Sequence, residues 1–483
     1  MAKIMMENML DFDSGYVLNF YNVKKLRENA YLVTTEHGAW ALLNKKQYYL
    51  LRLQQLSKDK KLFNELEKKG IILTEKNVQN AVKAYAVRNS FLFQGPSLHI
   101  IVPTLRCNQR CIYCHSRAEP ESGKGFDMDR DTAKAVVDFI FKSPSKILII
   151  EFQGGDCLLN FEITEFIIDY AKDLAKKKKK SVGFSIVTNL TKMDEDIIRS
   201  LKERHIMGLA TSLDGPKHVH NKNRRYLGGK GTYEDVVYWI KRIKEEWKYD
   251  FNLNALCTIT RHSLPYGKEI VDEYMCFGFN GVWLRFMNNI GFAADSWTKI
   301  GYTPEEYLMF YEKTLDYIVS KNTREQHFTE LMALIFLKKI LTERDPYFTD
   351  IQSPCGAGIG QLLYKYNGDI HTCDEGKLFE EFKLGNVFTS KYEDIFNNDT
   401  LTTMIDISSK KNYLCDACVW SPYCGICPLH TYATQGTIVS KLALDERCKI
   451  MQGLISRIFE RHLFSRKHSV VFKNWVEKDV VFK

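Results

Sequence analysis

Three cysteines on one short loop, Cys107, Cys111 and Cys114, place the strongest constraint on what this chain can fold into. Their C-x3-C-x2-C spacing lets three thiolates hold three corners of an iron–sulfur cubane. Ordinary [4Fe–4S] sites use four cysteines, so this loop leaves one iron without a protein ligand. Zinc also binds sets of cysteines, but no fourth ligand follows at the spacing of a zinc finger. We therefore predict a cluster whose open iron binds and activates a small molecule.

The properties of the whole chain favour a cytoplasmic globular protein. It has 483 residues, enough for two to four domains, and 45% of them are hydrophobic. No apolar run is long enough to span a bilayer, and the N-terminus lacks the features of a signal peptide. Thirteen cysteines without an export signal favour metal clusters in a reducing cytoplasm over disulfides. The net charge of +9 is spread along the chain, so neither a membrane nor a nucleic-acid partner is expected.

The first unit, residues 1–95, is predicted to be a small α+β unit. Tyr31–Thr35 and Ala39–Leu43 are typical of a hairpin around a glycine-containing turn. Two helical patterns follow, Lys46–Leu56 and Asp59–Lys69, and Ile71–Leu73 is a candidate third strand. Strands combined with two helices indicate a winged-helix-like unit, although a purely structural extension is an equal alternative.

From Ser97 the pattern changes to short apolar strands that alternate with helices. Six such repeats predict the α/β fold class, with a parallel sheet closed into a partial (β/α)6 barrel over residues 96–300. The cysteine loop follows the first strand, where reactive groups of such barrels lie. A helical bridge over residues 301–354 is predicted next, with helical patterns over about Pro304–Ile318 and Glu325–Thr342. The predicted strands are Leu98–Val102, Ile147–Phe152, Gly183–Thr188, Gly208–Ser212, Asn252–Thr258 and Gly281–Phe286, and helical patterns between them include Asp131–Phe141, Glu162–Leu174, Glu195–Lys202 and Tyr233–Glu246.

A third region, residues 355–464, is rich in cysteine and precedes a tail over residues 465–483. The cysteines of this third region follow the pattern C-x12-G-x4-C, then C-x2-C-x5-C-x2-C, then a final cysteine. Alone, the paired cysteines would also suit a zinc ribbon, but together with the upstream loop they favour iron–sulfur clusters. The three remaining cysteines, Cys157, Cys257 and Cys276, are predicted to pack as small apolar side chains. The seven cysteines of the region are Cys355, Cys373, Cys415, Cys418, Cys424, Cys427 and Cys448.

These two cysteine patterns resemble those of a known family of enzymes. The first loop, with Tyr113 before its third cysteine, resembles the signature of the radical S-adenosylmethionine (SAM) enzymes. That resemblance implies a [4Fe–4S] cluster whose open iron chelates SAM. The C-terminal region is similar to the SPASM domain of peptide-modifying members, although its last gap, before Cys427, is one residue shorter. It implies two auxiliary [4Fe–4S] clusters, one bound by Cys415, Cys418, Cys424 and Cys448 and the other by Cys355, Cys373 and Cys427.

Further motifs on successive strand ends resemble the SAM pocket of this family. The resemblance implies that the segments after the second, third and fourth strands contact SAM, and that an acid after a SPASM cysteine accepts a substrate proton. Arg285 at the sixth strand is another candidate contact, with a barrel-end salt bridge as its alternative. Asp374 is the candidate base, with a turn residue as its alternative. The implied SAM contacts are Tyr113, Gly154, Gly155, Asp156, Thr188, Asn189, Ser212 and Arg224.

Several short sequence segments are similar to those of one subgroup, the HxsB-type maturases of His-Xaa-Ser peptide systems. They include Gly95–Ile100, Asn289–Ala293, Cys355–Leu362 and Pro422–Pro428. This resemblance implies a ribosomally made peptide with a leader segment, which the first unit would bind as an added strand. Hydrogen abstraction would then install a cross-link, thioether, epimerisation or oxidation. A reducing donor such as flavodoxin or ferredoxin, and possible help from a second maturase, are the further partners.

Two alternatives remain open at this point. One is an anaerobic sulfatase-maturating oxidase, which would form formylglycine. The other belongs to a different class, a zinc-binding module that binds a peptide or nucleic acid without catalysis.

Overall fold

The structure, a computed structural model, describes residue 12 and residues 15–247, 250–343, 345–409 and 413–479. The first residues of the predicted N-terminal unit and the last four of the predicted tail lie outside the described residues. Within the described ranges, no helix is both long enough and apolar enough to cross a membrane.

The N-terminal unit contains the predicted hairpin and both predicted helices. Its antiparallel sheet has the order β2 (Tyr21–Arg27), β3 (Ala30–Thr35) and β4 (Trp40–Leu43). Sequence patterns did not predict β2, because its exposed lysines interrupt the apolar alternation. A second, two-stranded sheet pairs β1 (Val17–Leu18) with β5 (Ile72–Leu73). The helices are α1 (Lys45–Arg52), α2 (Lys60–Lys68) and α3 (Val78–Arg88).

Six parallel strands form the barrel in sequence order, which confirms the predicted fold class. A short strand that was not predicted, β14 (Thr329–Glu330), extends the sheet beside the sixth of them. The six are β6 (Leu98–Ile101), β9 (Ile147–Phe152), β10 (Ser181–Val187), β11 (Gly208–Ser212), β12 (Asn252–Ile259) and β13 (Gly281–Phe286). Two short strands on the cysteine loop, β7 (Arg106–Cys107) and β8 (Glu119–Pro120), pair with each other.

Helices cover the outer face of the barrel, where strand side chains such as Ile150 and Phe152 are fully buried. Aspartates cap two of them, Asp129 and Asp194: the side chain of Asp129 accepts a hydrogen bond from the Thr132 amide at 2.7 Å, which satisfies a free amide of the first turn. The helices are α4 (Arg130–Ile140), α5 (Phe161–Lys178), α6 (Glu195–Glu203), α7 (Lys217–Asn223), α8 (Tyr233–Glu246) and α9 (Gly267–Cys276).

The predicted helical bridge is present, but its second helix starts later than predicted. Residues 329–330 pair with β13 instead of joining that helix, and Glu330 caps it by accepting the Ala333 amide at 2.6 Å. The helices here are α10 (Phe292–Ile300), α11 (Pro304–Lys321) and α12 (Leu331–Leu341).

The cysteine-rich region continues the central sheet. Its first strand, β15 (Gln361–Tyr364), pairs in parallel with β6, and β16 (Asp369–His371) and β17 (Lys383–Asn386) follow antiparallel. The barrel and this region therefore share one sheet, which fixes their cysteines relative to each other. The remaining helices are α13 (Tyr392–Phe396), α14 (Asp399–Ser408), α15 (Tyr413–Asp416), α16 (Pro428–Gln435), α17 (Glu446–Phe464) and α18 (Arg466–Glu477).

The N-terminal unit packs against the segment between two of the C-terminal cysteines. The hydroxyl of Thr34 donates to the Val419 carbonyl at 2.8 Å, and the side chain of Asn22 donates to the Cys418 carbonyl at 3.2 Å. These bonds hold the small sheet beside residues 418–423.

Candidate active site

The three cysteines of the first loop line one cavity at the carboxyl ends of the barrel strands. Cys107 and Cys111 are buried, and Cys114 is partly buried. The Cys107 sulfur accepts hydrogen bonds from the Gln109 amide at 3.4 Å and from the Asn189 side chain at 3.7 Å. Amide donors aimed at a cysteine sulfur stabilise its anionic form and tune a cluster bound to it.

The electrostatics of the loop suit a metal cluster. Burial raises the pKa of the Cys107 thiol well above its ordinary value and raises the pKa of the Cys111 thiol to about 12. Without a nearby positive charge these side chains would stay protonated, because burial disfavours a lone thiolate. Iron supplies that charge, so the donor set fits a cluster that displaces the thiol protons.

Gly154 and Gly155 allow the second strand to pack tightly against the cysteine loop. A Cβ on Gly154 would lie 2.3 Å from the Thr104 carbonyl oxygen, and a Cβ on Gly155 would lie 2.1 Å from the Arg106 carbonyl oxygen. The Gly155 amide also donates to the Thr104 carbonyl at 3.0 Å. Both glycines line the cavity, but the close approach that requires them is to the loop itself.

Asp156 lies behind the cavity and is only 1% exposed. Its carboxylate accepts the Thr188 hydroxyl at 3.0 Å and the Asn189 amide at 2.9 Å. Burial raises the pKa of this carboxyl group, while these hydrogen bonds oppose the rise. Protein donors therefore occupy its side chain, and the geometry favours a positioning role: Asp156 holds Asn189 against Cys107.

A buried network connects the loop to the fourth strand. The Tyr113 hydroxyl donates to Asp214 at 2.8 Å and accepts from Arg224 at 2.9 Å. Asp214 is fully buried and also accepts from the Asn223 side chain at 3.1 Å. Sequence reasoning did not select Asp214, although it lies two residues after Ser212, because its role depends on partners on other elements.

Arg224 lies in the wall of the same cavity and brings its guanidinium group there. It is 7% exposed, and a second guanidinium nitrogen donates to Gln109 at 3.4 Å. Its Nε is buried and has no hydrogen-bond acceptor among the described residues. A buried donor without an acceptor is costly, so the site suits an anionic group such as the carboxylate of SAM. Ser212 and Thr258 line the same wall.

The opposite wall of the cavity comes from the sixth strand and the C-terminal region. Arg285 lies 3.7 Å from Asp350 and 3.8 Å from Glu375, so it forms the salt bridges that were the alternative to a SAM contact. Arg285 also lines the cavity. The Asn288 side chain donates to Glu375 at 2.6 Å.

Asp374 approaches His115, the residue after Cys114, at 3.8 Å. Burial works to raise the pKa of Asp374, but His115, Lys377 and Arg285 outweigh burial and lower it. The side chain is therefore an ionised acceptor at neutral pH.

The seven C-terminal cysteines fall into two groups. Cys355, Cys373 and Cys427 share a small apolar cluster with Leu429. Cys424 lies near Cys448, Cys418 and Cys415, which form the second group with it. Burial, and to a smaller extent these three neighbours, raises the pKa of the Cys424 thiol to about 12. Among the described residues, no three Cys, His, Asp or Glu side chains converge on a single metal ion. A cubane holds its cysteine sulfurs further apart than one ion does.

Amide donors also reach sulfurs in both groups. The Gly376 amide donates to Cys373 at 3.3 Å, and the Gln452 side chain donates to Cys448 at 3.2 Å. Cys157 and Cys257 are buried as predicted, but the prediction for Cys276 was wrong: it is exposed, because it ends helix α9 on the outside of the barrel.

Two family models match the regions that hold these cysteines. Residues 101–262 match the Radical SAM superfamily. Residues 355–419 match the SPASM family, described as an iron–sulfur cluster-binding domain. Both matches leave the zinc-binding alternative without support.

Curated relatives and solved structures share most of this architecture. The cysteine-type anaerobic sulfatase-maturating enzyme of Clostridium perfringens is 25% identical over 333 residues, which cover 66% of this chain and 84% of that enzyme. The subtilosin biosynthesis protein AlbA of Bacillus subtilis is 24% identical over 335 residues, covering 68% of this chain and 66% of AlbA.

The solved structures show the fold that the chain shares with them. The structure of anSMEcpe with bound AdoMet has a TM-score of 0.65 at 19% identity and covers 78% of this chain and 99% of its own. Streptococcus suis SuiB bound to precursor peptide SuiA has a TM-score of 0.53 at 16% identity and covers 88% of this chain and 98% of its own.

Proposed function

We propose that this chain, a radical SAM enzyme with a SPASM domain, is a maturase that abstracts a hydrogen atom from a ribosomally made peptide or a protein. The observation that carries the proposal is the position of Glu375. It follows Cys373, which we assign to an auxiliary cluster, by two residues, yet it lines the same cavity as Cys114. A substrate in this cavity would therefore lie between the SAM site and the SPASM domain.

The radical SAM domain binds SAM and a [4Fe–4S] cluster, and the SPASM domain binds auxiliary iron–sulfur clusters. Reductive cleavage of bound SAM supplies a carbon-centred radical that can take a hydrogen atom from an unactivated carbon. Cys107, Cys111 and Cys114 are our proposed cluster ligands. Arg224 would hold the SAM carboxylate with its guanidinium group, and the barrel walls would exclude water from the reacting carbon.

Asp374 is the proposed acceptor of a substrate proton. Its lowered pKa keeps it ionised, and the positive charges of Lys377 and Arg285 stabilise that carboxylate. Proton transfer to an Asp374 oxygen would accompany loss of an electron from the substrate radical to an auxiliary cluster. An epimerisation would not need this step, whereas an oxidation or a thioether would.

The substrate is proposed to be a peptide with a leader, and the N-terminal unit to be its docking module. Two similar proteins support this proposal: AlbA is a subtilosin biosynthesis protein, and the solved structure of SuiB contains the precursor peptide SuiA. The subgroup phrases support a His-Xaa-Ser peptide as the specific substrate. A flavodoxin or ferredoxin as electron donor, a second maturase and a cytoplasmic location complete the proposal.

The direct test is formation of 5′-deoxyadenosine by the anaerobic, dithionite-reduced protein with SAM. A variant with Cys107, Cys111 and Cys114 changed to alanine is the matched control. Cleavage by the wild type alone, with a mass change in an added candidate peptide, supports the proposal. A wild type that carries iron and sulfide, binds SAM and forms no 5′-deoxyadenosine with any peptide from its gene neighbourhood would refute it.

An anaerobic sulfatase-maturating activity is the second candidate. The specific observation in its favour is the 25% identity with the Clostridium perfringens enzyme over 84% of that enzyme. Incubation with a sulfatase-type peptide separates the two candidates: conversion of its cysteine to formylglycine, read by mass, supports this one.

A further inference from the structure

Glu151 occupies the interior of the barrel beside the active site. On β9, Leu148, Ile150 and Phe152 are fully buried under the outer helices. Side chains alternate along a strand, so Glu151 and Gln153 point to the opposite, inner face. Gln153 lines the cavity that holds the cysteine loop, and Glu151 lies one step, about 7 Å, further into the barrel.

The carboxylate of Glu151 has only neutral partners within the described part of the chain. It accepts the Gln153 side-chain amide at 2.7 Å and the Ser185 hydroxyl at 3.2 Å. Burial raises its pKa, the two hydrogen bonds oppose the rise, and the one charged group that acts on it is another carboxylate, Asp374. No lysine, arginine or histidine in the described ranges balances this negative charge.

Such an arrangement is costly for the protein alone. A carboxylate in an enclosed site is stable only when donors or a cation replace its lost water, and a like charge nearby adds to the cost. Two other acids of the active site differ in this respect: Arg224 faces the network of Asp214, and Arg285 lies near Glu375. Glu151 therefore has no cationic partner within the described residues, although its surroundings would favour one.

We infer that Glu151 is a specificity residue that pairs with a cationic side chain of the substrate, a lysine, arginine or protonated histidine near the carbon that loses hydrogen. The inference rests on the proposed function and adds the chemical class of the recognised residue. A purely structural role is the competing account, in which Glu151 only holds the Gln153 side chain in place.

Glu151→Gln separates the two accounts, because it removes the charge but keeps an oxygen that can accept from Gln153. Glu162→Gln, at an exposed acid on helix α5, is the matched control. Glu151→Lys reverses the charge. Each cluster-loaded protein is incubated anaerobically with SAM and a pool of synthetic octapeptides of random sequence, and bound peptides are sequenced by mass spectrometry.

The wild type and Glu162→Gln are expected to enrich lysine, arginine and histidine about tenfold over the pool, as one charge-assisted hydrogen bond allows. Glu151→Gln should lose the enrichment, and Glu151→Lys should favour aspartate and glutamate. The chain's own net charge of +9 would favour acidic peptides, so bulk attraction cannot produce the expected result.

Equal enrichment in the wild type and Glu151→Gln, or none in the wild type, overturns the inference. Hydrogen abstraction is measured separately, as 5′-deoxyadenosine formed with the peptides of the gene neighbourhood, which would carry the leader segment. Cation selectivity without any abstraction would refute the maturase function, whereas abstraction without selectivity would refute only the role of Glu151.

Discussion

The Phe292 amide donates a hydrogen bond to the Cys114 carbonyl at 3.0 Å, which joins the start of helix α10 to the cysteine loop. Gly291 makes this contact possible. Its φ is +60°, and a Cβ there would lie 2.3 Å from the Cys114 carbonyl oxygen. The phrase Asn289–Ala293, which the sequence connects only to a subgroup, therefore has a physical role: it holds the third cysteine in place.

Gly291→Ala should displace the loop and impair the cluster that Cys114 would hold. We expect purified protein to lose roughly one third of its iron and sulfide, since one of three proposed clusters is affected. Gly278→Ala is the matched control, because Gly278 has a similar φ of +69° but no atom within 4 Å of an added Cβ. Full iron content in Gly291→Ala would contradict the proposed role of the contact.

Arg224→Lys should weaken SAM binding more than tenfold, because a lysine loses the planar guanidinium that contacts Tyr113 and Gln109 in the wall of the cavity. The measurement is a SAM titration of cluster-loaded protein. Arg225→Lys is the neighbouring control, since the Arg225 side chain is exposed and donates only to the Asn221 carbonyl in the described residues. Equal affinity in both variants would remove Arg224 from the SAM site.

The barrel was predictable because each of its strands is an apolar run buried on at least one face. The cysteine loop was predictable because its chemistry depends on spacing alone. Asp214 was not, because it meets Tyr113 across 101 positions of sequence and only the fold brings them together. Asp156 shows the reverse case: its motif position indicated a ligand contact, but Thr188 and Asn189, just after β10, occupy its carboxylate.

Buried His99 should make the protein less stable in acid. It is fully buried on β6, and burial lowers its pKa to about 3, with Lys180 adding to the effect and Tyr364 contacting the ring. The unfolded chain binds a proton near pH 6.5, whereas the folded chain does not, so stability falls as pH decreases from about 6.5 toward 3 by about 1.4 kcal/mol per pH unit.

His99→Leu should remove this dependence. The melting temperature of the variant should therefore rise relative to that of the wild type as pH is lowered from 7 to 5, whatever their difference at pH 7. Cluster loss in acid affects both proteins alike and cancels in the comparison. His218→Leu, at an exposed position, is the control. A constant difference in melting temperature between wild type and His99→Leu would contradict the prediction.

Gln452 should raise the reduction potential of the auxiliary cluster that we assign to Cys415, Cys418, Cys424 and Cys448. Its side-chain amide donates to the Cys448 sulfur at 3.2 Å from one helical turn away. Hydrogen bonds to cluster sulfurs stabilise the reduced, more negative state, so Gln452→Leu should shift the potential of this cluster to a more negative value. Ser456→Ala, one turn further along the same helix, is the control because Ser456 contacts Glu460 instead.

A redox titration followed by electron paramagnetic resonance measures each cluster separately, and the clusters at the first loop and at Cys355 should keep their potentials. An unchanged potential in Gln452→Leu would mean that the amide does not reach the sulfur once the cluster is bound.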